Sequence, residues 1–130
     1  MPDFEQSREI DSAPDAVWRI VSDPDRLADW VPTTTASRPE GDDAVHLQGE
    51  SHGHDYDIRS GFVADAAARR LSWDSPRLSG YRGTLHVAEH ADGSHVTVKV
   101  TIPDVLARAD EEINRGLRET LDRIAGLARE

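Results

Sequence analysis

From Asp104 to Glu130 the chain carries apolar residues at steps of three or four: Leu106, Ala109, Ile113, Leu117, Leu121, Ile124 and Leu127. The positions between them are mostly Arg, Asp and Glu, so the spacing predicts a helix with one apolar stripe and one charged face. Pro103 closes the segment before it, and Asp104, Asp110, Glu111 and Glu112 lie toward the end where negative charge suits the helix dipole. At the usual rise per residue such a helix is about 40 Å long, enough to cross a small domain. A stripe of that length needs one broad apolar surface to cover it, and a sheet wrapped around the helix supplies one.

The rest of the chain has the pattern of such a sheet. Phe4 to Asp11 alternates as a strand, with Phe4, Gln6, Arg8 and Ile10 on one side and Glu5, Ser7, Glu9 and Asp11 in water. Ser12-Ala13-Pro14-Asp15 reads as a helix start, with Ser12 as N-cap and Val17, Trp18, Ile20 and Val21 on the buried side. Asp23-Pro24-Asp25 restarts a second short helix carrying Leu27, Trp30 and Val31, which Pro32 ends. Six period-two segments follow: Thr33 to Arg38, Ala44 to Ser51, Tyr56 to Ala64, Arg70 to Asp74, Tyr81 to Glu89 and His95 to Ile102. Short turns join them, at Pro39 to Asp43, His52 to Asp55, Asp65 to Ala68, Ser75 to Gly80 and Ala91-Asp92-Gly93. Tight links force neighbouring strands to be antiparallel. Each strand has one apolar face, so the sheet is covered on one side, and the final helix is the element large enough to cover it. The expectation is one α+β domain over residues 1–130.

Composition closes off several function classes. The chain has no cysteine, which removes disulfides, thiol catalysis and thiolate metal sites and fits a reducing cytoplasm. Its N-terminus lacks a basic segment followed by an apolar run, so no signal peptide is expected, and no apolar stretch approaches the roughly 20 residues of a membrane span. A net charge of -10 argues against nucleic acid as partner. Fourteen of the fifteen basic residues are Arg, Lys99 being the exception, but they are scattered among acids rather than grouped.

The order of elements and the stretch Ala13-Pro14-Asp15-Ala16-Val17-Trp18-Arg19-Ile20-Val21-Ser22-Asp23-Pro24, ending in Ala28-Asp29-Trp30, resemble the START-like helix-grip superfamily. Within it the chain is most similar to small bacterial proteins of the polyketide cyclase/dehydrase type, the group called SRPBCC. The turn Asp65 to Arg70 before Leu71-Ser72-Trp73, and the run Gly93 to Val100, extend the resemblance over essentially the whole chain. It implies a seven-stranded antiparallel sheet curved around the C-terminal helix, two short helices after the first strand, and an apolar ligand cavity in between. These motifs specify a fold and a cavity, not a fixed catalytic set.

The candidate lining follows from strand parity and the helix stripe. From the strands and the second short helix it is Gln6, Arg8, Trp30, Tyr56, Ser60, Phe62, Trp73, Tyr81, Gly83, Leu85 and Val98; from the long helix it is Ile113, Gly116, Leu117 and Thr120. Aromatic residues on inward parity also fit plain core packing. The polar intruders Gln6, Arg8, Ser51 and Ser60 mean either a ligand- or water-filled pocket or a parity shift at strand ends. Gly49, Gly83 and Gly116 remove volume from the inner surface. The stripe should then divide, Leu121, Ile124 and Leu127 sealing one end while Ile113, Gly116, Leu117 and Thr120 face the cavity.

For chemistry the pattern offers little. His52-Gly53-His54-Asp55 with Asp57 places two histidines near carboxylates, but no third zinc ligand follows from the spacing, and no metal or other cofactor is expected. His46, His86, His90 and His95 fall on outward parity or in turns, where His46 and His86 could face each other across strands. No serine sits in a Gly-x-Ser-x-Gly elbow. In a cyclase, Arg8 would stabilise an enolate or carboxylate, Tyr81 or Tyr56 would donate a proton, and Ser60 would orient a carbonyl. The first expectation is a cytoplasmic binder of a small hydrophobic or aromatic metabolite or lipid, with a homodimer in reach. The alternatives are a polyketide cyclase, aromatase or dehydratase using the same cavity, and a protein-interaction module of the kind that serves chaperones, ribosomes or quinone systems.

Overall fold

The first strand, β1 (Asp3–Ile10), alternates exposed and covered residues along its whole length, as its sequence does. In the computed structural model, which describes residues 3–32, 34–51, 53–74, 81–102 and 110–128, β1 leads into α1 (Pro14–Val21), a 3-10 turn (Pro24–Arg26) and α2 (Leu27–Trp30). Six strands follow: β2 (Thr34–Pro39), β3 (Ala44–Ser51), β4 (His54–Asp65), β5 (Arg70–Asp74), β6 (Arg82–His90) and β7 (Gly93–Thr101). The last element is α3 (Asp110–Ala128). Thr33, His52, residues 75–80 and residues 103–109, with Asp104, Leu106 and Ala109 of the expected helix, lie outside the described residues, as do the side chains of Ser51, His54 and Asp110.

All seven strands form one antiparallel sheet in the order β1-β7-β6-β5-β4-β3-β2. The tight links expected from the sequence account for every neighbour from β2 to β7, and β1 closes onto β7 at the far edge. One face of the sheet carries the helices. Val45, Phe62, Leu71, Leu85, Val87, Val96 and Val98 from the strands meet Val17, Ile20, Val21, Leu27 and Trp30 from the two short helices. Leu121, Ile124 and Ala125 of α3 join the same cluster, each at most 2 % exposed. α3 lies across β1 and β7 and against α1 and α2.

Two local expectations change. Ser12 does not cap α1: Ala13 is the residue that enters the helix, in extended conformation, and Pro14 occupies the first turn without a side-chain cap. The Ser12 hydroxyl instead donates to the carbonyl of Ala128 at 3.1 Å, satisfying one of the carbonyls that a helix end leaves unpaired. The Ser12 carbonyl in turn accepts from Ser94 Oγ at 2.6 Å. His46 and His86 do not face each other, because β4 and β5 separate their strands. On the sheet's outer side His46 lies between Glu40, 3.4 Å from Nδ1, and Asp57, which contacts Nε2.

The β6–β7 hairpin turns at Ala91-Asp92, as the sequence suggests, with Ala91 at φ 47. A side chain in that left-handed region is strained where glycine would not be. Ala91→Gly is therefore expected to stabilise the protein by about 0.5–1 kcal/mol, a rise in the urea midpoint at unchanged slope.

Candidate functional site

Where α3 passes over the sheet it leaves a cavity of about 450 Å³. β4 contributes more of the floor than any other strand: Tyr56, Ile58, Ser60 and Phe62 alternate into it, which is the strand period of two applied over four inward positions. Val45 and Leu47 of β3, Trp73 of β5, and Val98 and Val100 of β7 extend that floor, with Tyr81 just before β6. Leu27 and Trp30 of α2, with Val31 and Thr34, form one wall, and Leu117 and Thr120 of α3 form the roof. None of the described lining residues carries a formal charge at neutral pH.

The cavity's polar groups are few and mostly committed. Thr34 Oγ1 and Tyr56 Oη are 2.9 Å apart in a hydrogen bond. Ser60 Oγ donates to the carbonyl of Asp74, and Thr120 Oγ1 donates to the carbonyl of Gly116 at 2.9 Å. Trp73 Nε1 donates to Tyr81 Oη at 3.4 Å. Trp30 is 3 % exposed, and its Nε1 is buried with no hydrogen-bond partner among the described residues. Burial pushes the Tyr81 phenol above its ordinary value of 10.0; the Trp73 N–H opposes the rise and the nearby Tyr56 adds to it. Tyr81 thus holds its proton throughout the neutral range.

The same shift has a consequence for stability at alkaline pH. A folded-state value above the unfolded one means that the native state holds the proton more tightly. The associated stability is complete below about pH 10 and is lost as pH rises through the folded-state value. Urea unfolding between pH 9 and 11 should show stability falling in the native sequence and falling less steeply in Tyr81→Phe. Parallel curves would show that Tyr81 is not buried as described.

Of the candidates named from sequence, the cavity brings together Trp30, Tyr56, Ser60, Phe62, Trp73, Tyr81, Val98, Leu117 and Thr120. Gln6 and Arg8 do not line it. Their parity is as expected, but β1 is the edge strand and α3 lies over it, so these side chains meet the helix instead. Gln6 Nε2 donates to Asn114 Oδ1 at 3.0 Å, and Arg8 pairs with Asp122 in a groove open to water. Leu85 is wholly buried in the core beneath, and Gly83 sits under the Trp73 indole. Ile113 and Gly116 are half-buried on α3 without reaching the lining. Ser60, with its proton on the Asp74 carbonyl, is not set up to orient a carbonyl by donation.

The sequence reading missed Leu27, Val31, Thr34, Val45, Leu47, Ile58, Gly61 and Val100. Ile58 and Val100 share the parity of residues chosen on their own strands, and Val45 and Leu47 lie on the apolar face of β3, so the alternation itself carries the signal. Leu27 lies at helical spacing from both Trp30, which was chosen, and Val31, whereas Thr34 sits at the joint of α2 and β2, where no periodicity assigns a direction. Among the described residues no group of three His, Asp or Glu side chains is arranged to hold a metal ion, and no helix is long and apolar enough to cross a membrane.

A seven-stranded antiparallel sheet holding a long C-terminal helix, with an apolar cavity between them, defines the helix-grip class. The chain belongs to the family described as polyketide cyclase/dehydrase and lipid transport, whose model matches residues 1–129. Among solved structures, the Zhui aromatase/cyclase from Streptomyces sp. R1128 superposes with a TM-score of 0.81 at 18% identity, over 98% of this chain and 93% of that one. A protein from Thermus thermophilus gives 0.79 at 18% identity, over 98% and 97% of the two chains. A START superfamily protein from Mycobacterium smegmatis gives 0.75 at 13% identity, over 96% and 92%. At these identities the likeness speaks to the fold. No curated protein gives a significant sequence match.

Proposed function

We propose that the protein binds a small uncharged molecule, aromatic or lipid-like, in the cavity between the sheet and α3. The observation that carries this reading is the lining: aliphatic and aromatic walls, a few hydroxyls, and no charged side chain among the described residues. Its volume of about 450 Å³ falls in the usual range of small-molecule sites. The apolar walls supply affinity by removing ligand surface from water, and the hydroxyls supply orientation. Native mass spectrometry of the purified protein, before and after organic extraction, tests it. A co-purifying mass that extraction removes, and that rebinds when returned, is the expected result. Failure of the extracted protein to take up any apolar compound offered would overturn the reading.

A second reading, cyclase or aromatase chemistry in the same cavity, is favoured by the family description and by Tyr81, a phenol that keeps its proton beside the cavity. It lacks a base, since the described lining contains no His, Asp or Glu, and it lacks the cation expected to stabilise an enolate, since Arg8 pairs with Asp122 outside the lining. Binding without turnover is the simpler account of these residues. The charge of -10 further supports a role away from nucleic acid, and the absence of cysteine supports a reducing compartment such as the cytoplasm.

A further inference from the structure

The hydrogen-bond donors around the cavity differ in what they have left to give. Thr34 and Tyr56 share one bond, and the protons of Ser60 and Thr120 lie on backbone carbonyls. Tyr81 is different: its oxygen accepts from the Trp73 indole, and no described residue accepts its own hydrogen. Trp30 Nε1 also lacks a partner among the described residues, but it is fully covered, so a ligand atom meets it only after side chains shift. Tyr81 is therefore a donor at which a ligand can be read directly, and among these hydroxyls it is the one whose oxygen accepts from an indole N–H.

Its position is set from below. The register of β5 and β6 places Trp73 opposite Gly83. A Cβ at position 83 would overlap the indole at Cε2, Cζ2 and Nε1, the edge that reaches Tyr81. Glycine at 83 lets the indole lie flat against the strand, and the indole N–H then donates to the phenol oxygen. Donation into a hydroxyl oxygen makes that hydroxyl a better donor in turn.

We propose that Gly83, Trp73 and Tyr81 act together to select a ligand with an uncharged oxygen acceptor, such as a ketone or quinone oxygen, and to reject its carboxylate counterpart. Tyr81 makes the contact; Trp73 and Gly83 are positioning residues that act through it. Rejection follows from the lining, where a carboxylate would be buried without a cation among the described residues. The inference rests on the cavity being the ligand site.

The test uses three probes of one shape: 2-acetylnaphthalene, 2-isopropenylnaphthalene, in which CH₂ replaces the ketone oxygen, and 2-naphthoate. Binding is followed by quenching of tryptophan fluorescence. The native protein should bind the ketone about tenfold more tightly than the alkene, and the carboxylate more weakly than either. Tyr81→Phe should erase the ketone's advantage while leaving alkene affinity within about twofold. Trp73→Phe and Gly83→Ala should reduce that advantage, and where Gly83→Ala does not fold, Trp73→Phe decides. In nitrogen-edited NMR spectra the Trp73 indole signal should move with the ketone and not with the alkene. If the alkene binds and the ketone shows no advantage, or keeps it in Tyr81→Phe, the inference is overturned while the cavity site stands. If none of the three binds, the cavity reading fails, and this inference with it.

Discussion

Ile124→Ala is expected to lower the unfolding free energy by about 3–5 kcal/mol, a large share of the roughly 5–15 kcal/mol that a typical domain possesses. Ile124 is fully buried on the stripe of α3 and belongs to the cluster that joins α1, the sheet and the C-terminal helix. Truncation there removes buried methyl groups and leaves a void that packed neighbours fill only partly. Val63 on the outer face of the sheet is the control. It is 52% exposed, so Val63→Ala should change stability by no more than about 0.5 kcal/mol. Urea denaturation of both variants measures the difference. Equal losses at the two positions would mean that α3 does not seal the sheet.

Leu117→Trp should abolish ligand binding, at least about a hundredfold loss, while the protein stays folded. Leu117 roofs the cavity from α3 and is only half-buried, so the indole extends into empty volume rather than into a packed core. Filling a void in this way commonly leaves stability unchanged or raises it by about 0.5–2 kcal/mol. The comparison variant is Arg8→Ala, in the groove outside the cavity. Its affinity for the same apolar probe should match the native protein, and its stability should fall by less than about 1 kcal/mol because the Arg8–Asp122 pair is largely in water. An unaltered affinity in Leu117→Trp would place the ligand elsewhere.

How much of this was legible in the sequence depends on which physical rule governs each residue. Strand parity is local, and it held: Tyr56, Ser60 and Phe62 face the cavity because every second residue of β4 does. The helix stripe is local too: Leu121 and Ile124 seal and Leu117 and Thr120 roof the cavity, while Ile113 and Gly116, expected to face it, do not line it. Arg8 shows the limit. Alternation gives the side of the sheet, but whether that side meets a ligand or a helix depends on strand order, and β1 lands at the edge beneath α3. Ser12 shows a second limit. Its local pattern is that of a helix cap, yet its hydroxyl serves a helix end that comes 116 residues later. Thr34 owes its place to the path of the chain between α2 and β2, which no periodicity describes.

The bond from Ser12 to Ala128 bears on motion as well as on packing. It pins the C-terminal end of α3 to the segment between β1 and α1, and Ser94 holds that segment from β7. The same end of the helix carries Leu121, Ile124 and Ala125 in the core, whereas Leu117 and Thr120 have empty volume beneath them. A rod packed into the core at one end, and held further along over empty volume by the Gln6–Asn114 bond, behaves as a lever. Amide hydrogen exchange along α3 should therefore be graded, slowest over 121–128 and faster over 111–117, with a bound ligand slowing the faster part most. On that view the helix that gathers the fold is also its door, hung from a serine that lies in neither helix nor strand.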